Sequence, residues 1–322
     1  MKKYNYVFYN FNNEYNKSIF GALEKFDFVK IYKHAFDSNK IIQKLFFIHW
    51  SKKINNFINL PFKRIWYKKI CAQNFNNNKP CCYIFSGGKY IIEDPNLFKY
   101  IKKLNSQNKC IMICFDLLSK RSVDVDKTKK FFDKIITYDF EESRLFNIDY
   151  LNMDYYTPII DITEPTSFVN DVYFLGYAKD RLDEIHQAYK YLVENDIKCK
   201  FIICGTKPRD RIIGEGIFYQ EPISYIENLE NVCNSKCVLE IIQGKSVAPT
   251  LRLREANTYK RKLITNNSNP EYVKSLHSEN ICVFNDVEDI DINFIKSDIN
   301  YDNYVEKYSS PIKLIDYLES VL

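Results

Sequence analysis

Short runs of β-branched, aromatic and thiol residues recur along this chain, separated by longer amphipathic stretches, and that alternation excludes most architectures. CCYIFSG (81–87), KCIMICF (109–115), KCKFIICG (199–205) and CVLEII (237–242) are almost continuously apolar. A strand with one wet face alternates polar and apolar residues, whereas a strand covered on both faces does not. Such strands, joined by helix-period segments, describe parallel sheets with helices on both sides, an α/β class.

Strands are expected at 4–11, 28–32, 81–87, 109–115 and 134–139, then at 171–176, 199–205, 217–220, 237–242, 262–267 and 281–284. Helices are expected between them, among them 95–106, 180–195, 223–234 and 249–259, with an amphipathic closing helix at 310–322. Pro95 sits in a first helical turn, behind Glu93 and Asp94 as candidate caps. At 322 residues the chain exceeds a single ordinary core and divides into two. The stretch YYTPIIDITEPTSFVN (155–170) loses periodicity and carries prolines, which makes it the linker. The expected domains are 1–160 and 171–308, with 309–322 closing the chain. Two doubly wound, Rossmann-like domains facing a central cleft would bind ligands at the carboxyl ends of their strands.

The ten cysteines are scattered through apolar runs, as buried reduced thiols are. CIMIC and CNSKC lack a second ligand pair at zinc spacing, so no metal is expected. The N-terminus MKKYNYVFYNF is too polar for a signal h-region, and no stretch approaches ~18 uninterrupted apolar residues, so the expected location is the cytoplasm.

Two junctions carry candidate chemistry. In VYFLGYAKDR a strand ends at Gly176 and a helix follows, so a backbone can approach a ligand closely and a helix N-terminus can face a phosphate; Lys179 and Arg181 add positive charge, or are ordinary solvated side chains. In EIIQGKSVAPTLRLREA a strand passes through a loop containing Gly244 into a helix whose first turn holds Pro249 and Thr250. The free amides there, the Thr250 hydroxyl and Arg252 suit a diphosphate, with Glu255 one turn further for sugar or ribose hydroxyls. Arg252 and Glu255 are equally an i,i+3 surface pair contributing a few tenths of a kcal/mol. Spacing alone leaves both open.

FLGYAKDR followed by LEIIQG and PTLRLREANTYKRKLITNN resembles the C-terminal half of GT-B glycosyltransferases, in particular bacterial enzymes of capsule and lipopolysaccharide assembly and their spore-coat relatives. The resemblance covers about 171–285 and implies a GT-B fold. Its second domain would take a nucleotide-sugar donor, its first a glycan or glycolipid acceptor, with no cofactor. It implies ribose or sugar binding by Glu255, diphosphate binding near Thr250 and Arg252, and phosphates along the loop after Gly176. Retaining members often carry a second glutamate where Val247 stands here, and Tyr259-Lys260-Arg261-Lys262 replaces a usual Gly/Pro turn, so the stereochemical outcome stays open. A nucleotide-sugar epimerase or a binding protein would use the same two-domain cleft.

An inverting transfer needs a general base on the acceptor hydroxyl, expected at a strand end of the first domain. Asp116 and His34 follow expected strands; an Asp there is also an ordinary cap or turn residue. The strings DVD (124–126) and DID (289–291) have the form of metal-diphosphate motifs, but neither follows an apolar strand directly, and Asp124 suits a helix start.

Charge is uneven. From 38 to 92 there are ten Lys or Arg and no acidic residue, whereas from 93 onward thirty basic residues face thirty-seven acidic ones. The segment 40–69 interleaves these cations with Phe, Trp and Ile, which suits an anionic membrane surface on the inner face of the cytoplasmic membrane. Nucleic acid uses the same residue types, and so does a plain surface over a core. A lipid-linked acceptor favours the membrane, and the acidic second half speaks against nucleic acid.

Overall fold

The computed structural model describes residues 2–9, 11, 14–32, 40–55, 57–58, 60–71, 75–87, 94–115, 117–118, 124–151, 158–160, 167–242, 250–269, 278–301 and 310–322, without the side chains of 17, 18, 32, 43 and 52. The chain forms two compact units, one from Met1–Tyr155 with Ser309–Leu322 and the other from Tyr156–Tyr308.

Unit 1 holds β1 (Asn5–Tyr9), α1 (Glu14–Phe20), β2 (Val29–Tyr32), α2 (Lys40–His49), α3 (Lys52–Asn55), α4 (Arg64–Cys71), β3 (Cys81–Ser86), α5 (Pro95–Leu104), β4 (Lys109–Cys114), α6 (Val125–Lys129), β5 (Lys134–Thr137), α7 (Phe140–Phe146) and β6 (Asp149–Tyr150). All its strand pairs are parallel, in the order β2-β1-β3-β4-β5-β6. The continuous apolar runs are the reason: Cys82 to Phe85 and Cys110 to Cys114 are buried without a gap, covered on both faces. Asp94 caps α5 by accepting from the Asn96 amide at 3.0 Å, with Pro95 behind it.

The expected strand 134–139 stops at Thr137, because Asp139 turns to cap α7 through the Glu142 amide at 2.8 Å. Both Asp-x-Asp strings begin helices: Asp124 caps α6, and Asp291 accepts from the Asn293 and Phe294 amides.

Unit 2 holds β7 (Asn170–Tyr177), α8 (Leu182–Glu194), β8 (Cys199–Cys204), β9 (Ile217–Tyr219), α9 (Tyr225–Cys233), β10 (Ser235–Glu240), α10 (Leu251–Thr258), β11 (Lys262–Thr265), β12 (Ile281–Val283) and α11 (Ile292–Lys296). Its sheet is again parallel throughout, in the order β12-β11-β10-β7-β8-β9. A single 3-10 turn, Lys179–Arg181, precedes α8, so the helix expected from 180 begins two residues later.

The last helix, α12 (Ile312–Val321), returns to unit 1. It buries Leu314, Ile315 and Leu318. Glu319 accepts from the Tyr6 hydroxyl at 2.6 Å and from the Lys3 amide, and the Tyr317 hydroxyl donates to Asp149 at 2.8 Å. All ten cysteines are free thiols.

Candidate anion site at the strand ends of unit 2

β7 is the first strand of its sheet, flanked by β8, where the chain goes next, and β10, to which it returns. Outside the carboxyl ends of β7 and β10 the loops part in opposite directions, which is where doubly wound sheets bind ligands.

Two arginines cross this switch point in opposite directions. Arg181 follows β7, donates from Nε and Nη2 to the Tyr177 carbonyl at 3.3 and 3.2 Å, and reaches the Ile241 carbonyl beyond β10 through Nη1. Arg252 lies in the first turn of α10, after β10, and its Nη2 reaches back to the Leu175 carbonyl in β7. Both meet over Gly176. A Cβ there would lie 3.0 Å from Arg181 Nη2, 3.1 Å from Phe174 Cζ and 3.4 Å from Arg252 Nη2, so the missing side chain is what lets the guanidinium groups converge.

Among the described residues no ion pair joins either guanidinium to a carboxylate. Burial, with the neighbouring Arg252 charge, lowers the Arg181 pKa to about 10. Two part-buried cations side by side repel one another, and an anion placed between them removes the repulsion and supplies charge-assisted hydrogen bonds.

A buried acidic network stands behind the pair. Glu240, the last residue of β10, is buried and accepts from the hydroxyls of Thr250 and Thr265, the latter at 2.5 Å. Thr250 also caps α10 by accepting from the Arg252 amide at 3.1 Å. Its hydroxyl proton therefore goes to Glu240 and not to a ligand.

Glu255 is 4% exposed and faces α9, where Asn228 Nδ2 donates to its Oε1 at 3.1 Å and Tyr225 bonds to it as well. Asn228 in turn accepts from the Tyr173 hydroxyl at 3.1 Å. Burial raises the Glu255 pKa, and the Arg252 charge opposes that rise. Arg252 and Glu255 thus share a helix face without forming an exposed surface pair: one reaches β7 and the other α9.

Of the residues expected from sequence, Gly176, Arg181 and Arg252 come together, while Thr250 and Glu255 hold the helix behind them. Lys179 is exposed in a left-handed backbone conformation, two residues before Arg181. Asp116, His34 and Gly244 lie outside the described residues, as does Pro249. Two residues escaped sequence reasoning. The signal for Glu240 was present, an acid closing an otherwise apolar strand. Tyr177, half exposed beside Gly176, rests its ring against the bare backbone of Gly205, where a Cβ would come within 3.3 Å of Tyr177 Cδ1.

No protein-family model matches the chain, and no curated protein matches it in sequence. Solved structures match it over nearly its whole length. Phage T4 BGT, in complex with its UDP-glucose substrate, is 11% identical with a TM-score of 0.52, covering 98% of each chain. A putative UDP-N-acetylglucosamine 2-epimerase from Listeria monocytogenes is 12% identical with a TM-score of 0.55, covering 99% of this chain and 96% of its own. The UDP-GlcNAc 2-epimerase from Methanocaldococcus jannaschii is 13% identical with a TM-score of 0.50, covering 98% of this chain and 99% of its own. At such identities the likeness concerns the fold: two parallel six-stranded α/β sheets of GT-B type.

Proposed function

We propose that this GT-B chain is a glycosyltransferase that takes a sugar from a nucleotide-sugar donor in unit 2 and transfers it, without a metal, to an envelope glycan of the capsule or lipopolysaccharide kind. The observation that carries this is the convergence of Arg181 and Arg252 on Gly176 at the switch point. A diphosphate fits the pair by charge, and UDP is the favoured nucleotide, because the solved structures of this fold include one holding UDP-glucose and others named for UDP-GlcNAc.

In the transfer, an acceptor hydroxyl attacks the anomeric carbon, the bond from that carbon to the β-phosphate oxygen breaks, and UDP leaves. The arginine pair stabilises the charge that grows on the leaving diphosphate. The acceptor proton passes to a base in unit 1, a role assigned to Asp116 or His34 on sequence grounds. Glu240 and Thr250 fix the start of α10, and Glu255 anchors α10 to α9. Glu255, held by Asn228 and Tyr225, is the residue assigned to ribose or sugar hydroxyls on sequence grounds. The acceptor is read as lipid-linked, with segment 40–69 as the contact to an anionic cytoplasmic membrane surface. Among the described residues no helix is long and apolar enough to cross a membrane.

A UDP-sugar epimerase is the second reading, because two structures with TM-scores of 0.55 and 0.50 carry that name. A thermal-shift screen of nucleotides and nucleotide sugars, followed by product analysis, tests both. Transferase activity predicts a melting-temperature rise with one base and release of that nucleotide on adding acceptor; an epimerase interconverts two donor sugars with none. The absence of any nucleotide-dependent shift would defeat both.

A further inference from the structure

The helices α2 and α4 of unit 1 are apolar on two faces, where an ordinary surface helix is apolar on one. Their inner faces fill the core through Phe46, Trp66, Tyr67 and Ile70, with the Phe46 and Trp66 rings 5.5 Å apart edge to face. Their outer faces carry Leu45, Ile48 and Ile65, all exposed. Between α3 and α4 the chain adds Phe57 at 89%, Ile58 at 64% and Phe62 at 75% exposure. Eight of the nineteen exposed large apolar residues in the described chain fall within 41–65, a concentration that marks a contact surface.

Two further observations say what covers it. Lys40, Lys44, Lys53, Arg64, Lys68 and Lys69 are exposed along the same elements, with no acidic residue from 38 to 92 to balance them. Phe62 has φ +68°, a left-handed conformation that costs a side-chain-bearing residue about 1 kcal/mol and that glycine adopts freely. Local folding therefore does not explain an exposed aromatic ring at that position.

The occupant must be anionic and apolar over one patch. Nucleic acid offers phosphates, and bases could stack on Phe47, Phe57 and Phe62, but the five exposed aliphatic side chains Ile41, Leu45, Ile48, Ile58 and Ile65 outnumber these rings and give bases nothing to stack on. The boundary of an anionic bilayer offers headgroup charge above acyl chains.

We propose that Phe57, Ile58 and Phe62 form a wedge that enters the acyl boundary of an anionic bilayer, while the lysines and arginines of α2 to α4 meet its headgroups. This rests on the reading of segment 40–69 as the membrane contact and deepens it: attachment is by insertion as well as by charge.

The test uses the full chain, sedimented with vesicles of phosphatidylglycerol and phosphatidylcholine or of phosphatidylcholine alone. No nucleotide sugar is present, so a failure here is separate from a failure of donor binding. The chain is expected to bind the anionic vesicles and to retain part of that binding in high salt. The double variant Phe57→Ser/Phe62→Ser is expected to bind at least roughly tenfold more weakly. Phe62→Gly is a control for folding: it should raise the melting temperature by relieving the left-handed residue and still weaken binding. Binding that vanishes in salt and is indifferent to these substitutions would overturn insertion. Binding to single-stranded oligonucleotides in place of vesicles, or concentration-dependent dimers abolished by the double variant without vesicle binding, would overturn the lipid partner.

Discussion

Beyond β7 and β10 of unit 2 two arginines meet over a glycine, whereas beyond β1 and β4 of unit 1 the described residues include a cluster of aromatic rings. Phe11 lies 4.8 Å from Phe20 and 5.8 Å from Phe115, both edge to face. Glycines stand at both edges with different neighbours. At Gly87 an added Cβ would sit 2.9 Å from Cys114 Sγ and 3.1 Å from the Ile113 carbonyl, inside the packing of β4. At Gly176 it would meet the ends of two cationic side chains. Where they are described, the ends of the two sheets thus carry different side chains on one architecture, a cation pair after β7 and β10 and a ring cluster after β1 and β4.

The largest expected effect comes from removing the charge from unit 2. Arg181→Ala/Arg252→Ala should weaken UDP binding roughly a thousandfold by calorimetry, at about 2 kcal/mol for each charge-assisted contact. Next, Gly176→Ala should raise the UDP dissociation constant about tenfold as the guanidinium groups are pushed apart. Gly87→Ala should instead lower stability by about 1–3 kcal/mol in urea titrations, through overpacking against backbone, with UDP affinity unmoved. If both alanines acted alike, the two edges would not differ as described. Tyr177→Ala should weaken UDP severalfold, about 1 kcal/mol of stacking, and leave pyrophosphate binding unchanged.

The smallest effect concerns Glu255. Its folded pKa is raised by burial, with Arg252 opposing, so the folded chain holds a proton there more readily than the unfolded chain. That contribution is present at low pH and is lost as pH rises from the ordinary carboxylate value through the raised one. Glu255→Gln should flatten this slope in urea titrations at successive pH values; an unchanged slope would assign it to another group.

Much of the fold was legible because the strands are covered on both faces and read as continuous apolar runs. The two-residue β6 was not, being too short to carry a period. The closing helix was visible as an amphipathic stretch, but its return to unit 1 depends on contacts such as Tyr6 with Glu319, 313 residues apart. At the site, Gly176, Arg252 and Glu255 were visible through the strand-glycine-helix and LRLREA signals. Their directions were not, since i,i+3 spacing fixes a shared face but not the partner. Glu240 passed as part of an apolar strand because Thr250 and Thr265, its partners, lie ten and twenty-five residues away.

Hydrogen exchange with and without UDP tests the central claim most directly, since it reads both units of the intact chain at once. Protection of the amides of 174–182 and 250–256, with unit 1 unchanged, is the predicted result. Protection confined to the strand ends of unit 1, or none in those two segments at saturating UDP, would contradict an arginine-built diphosphate site in unit 2.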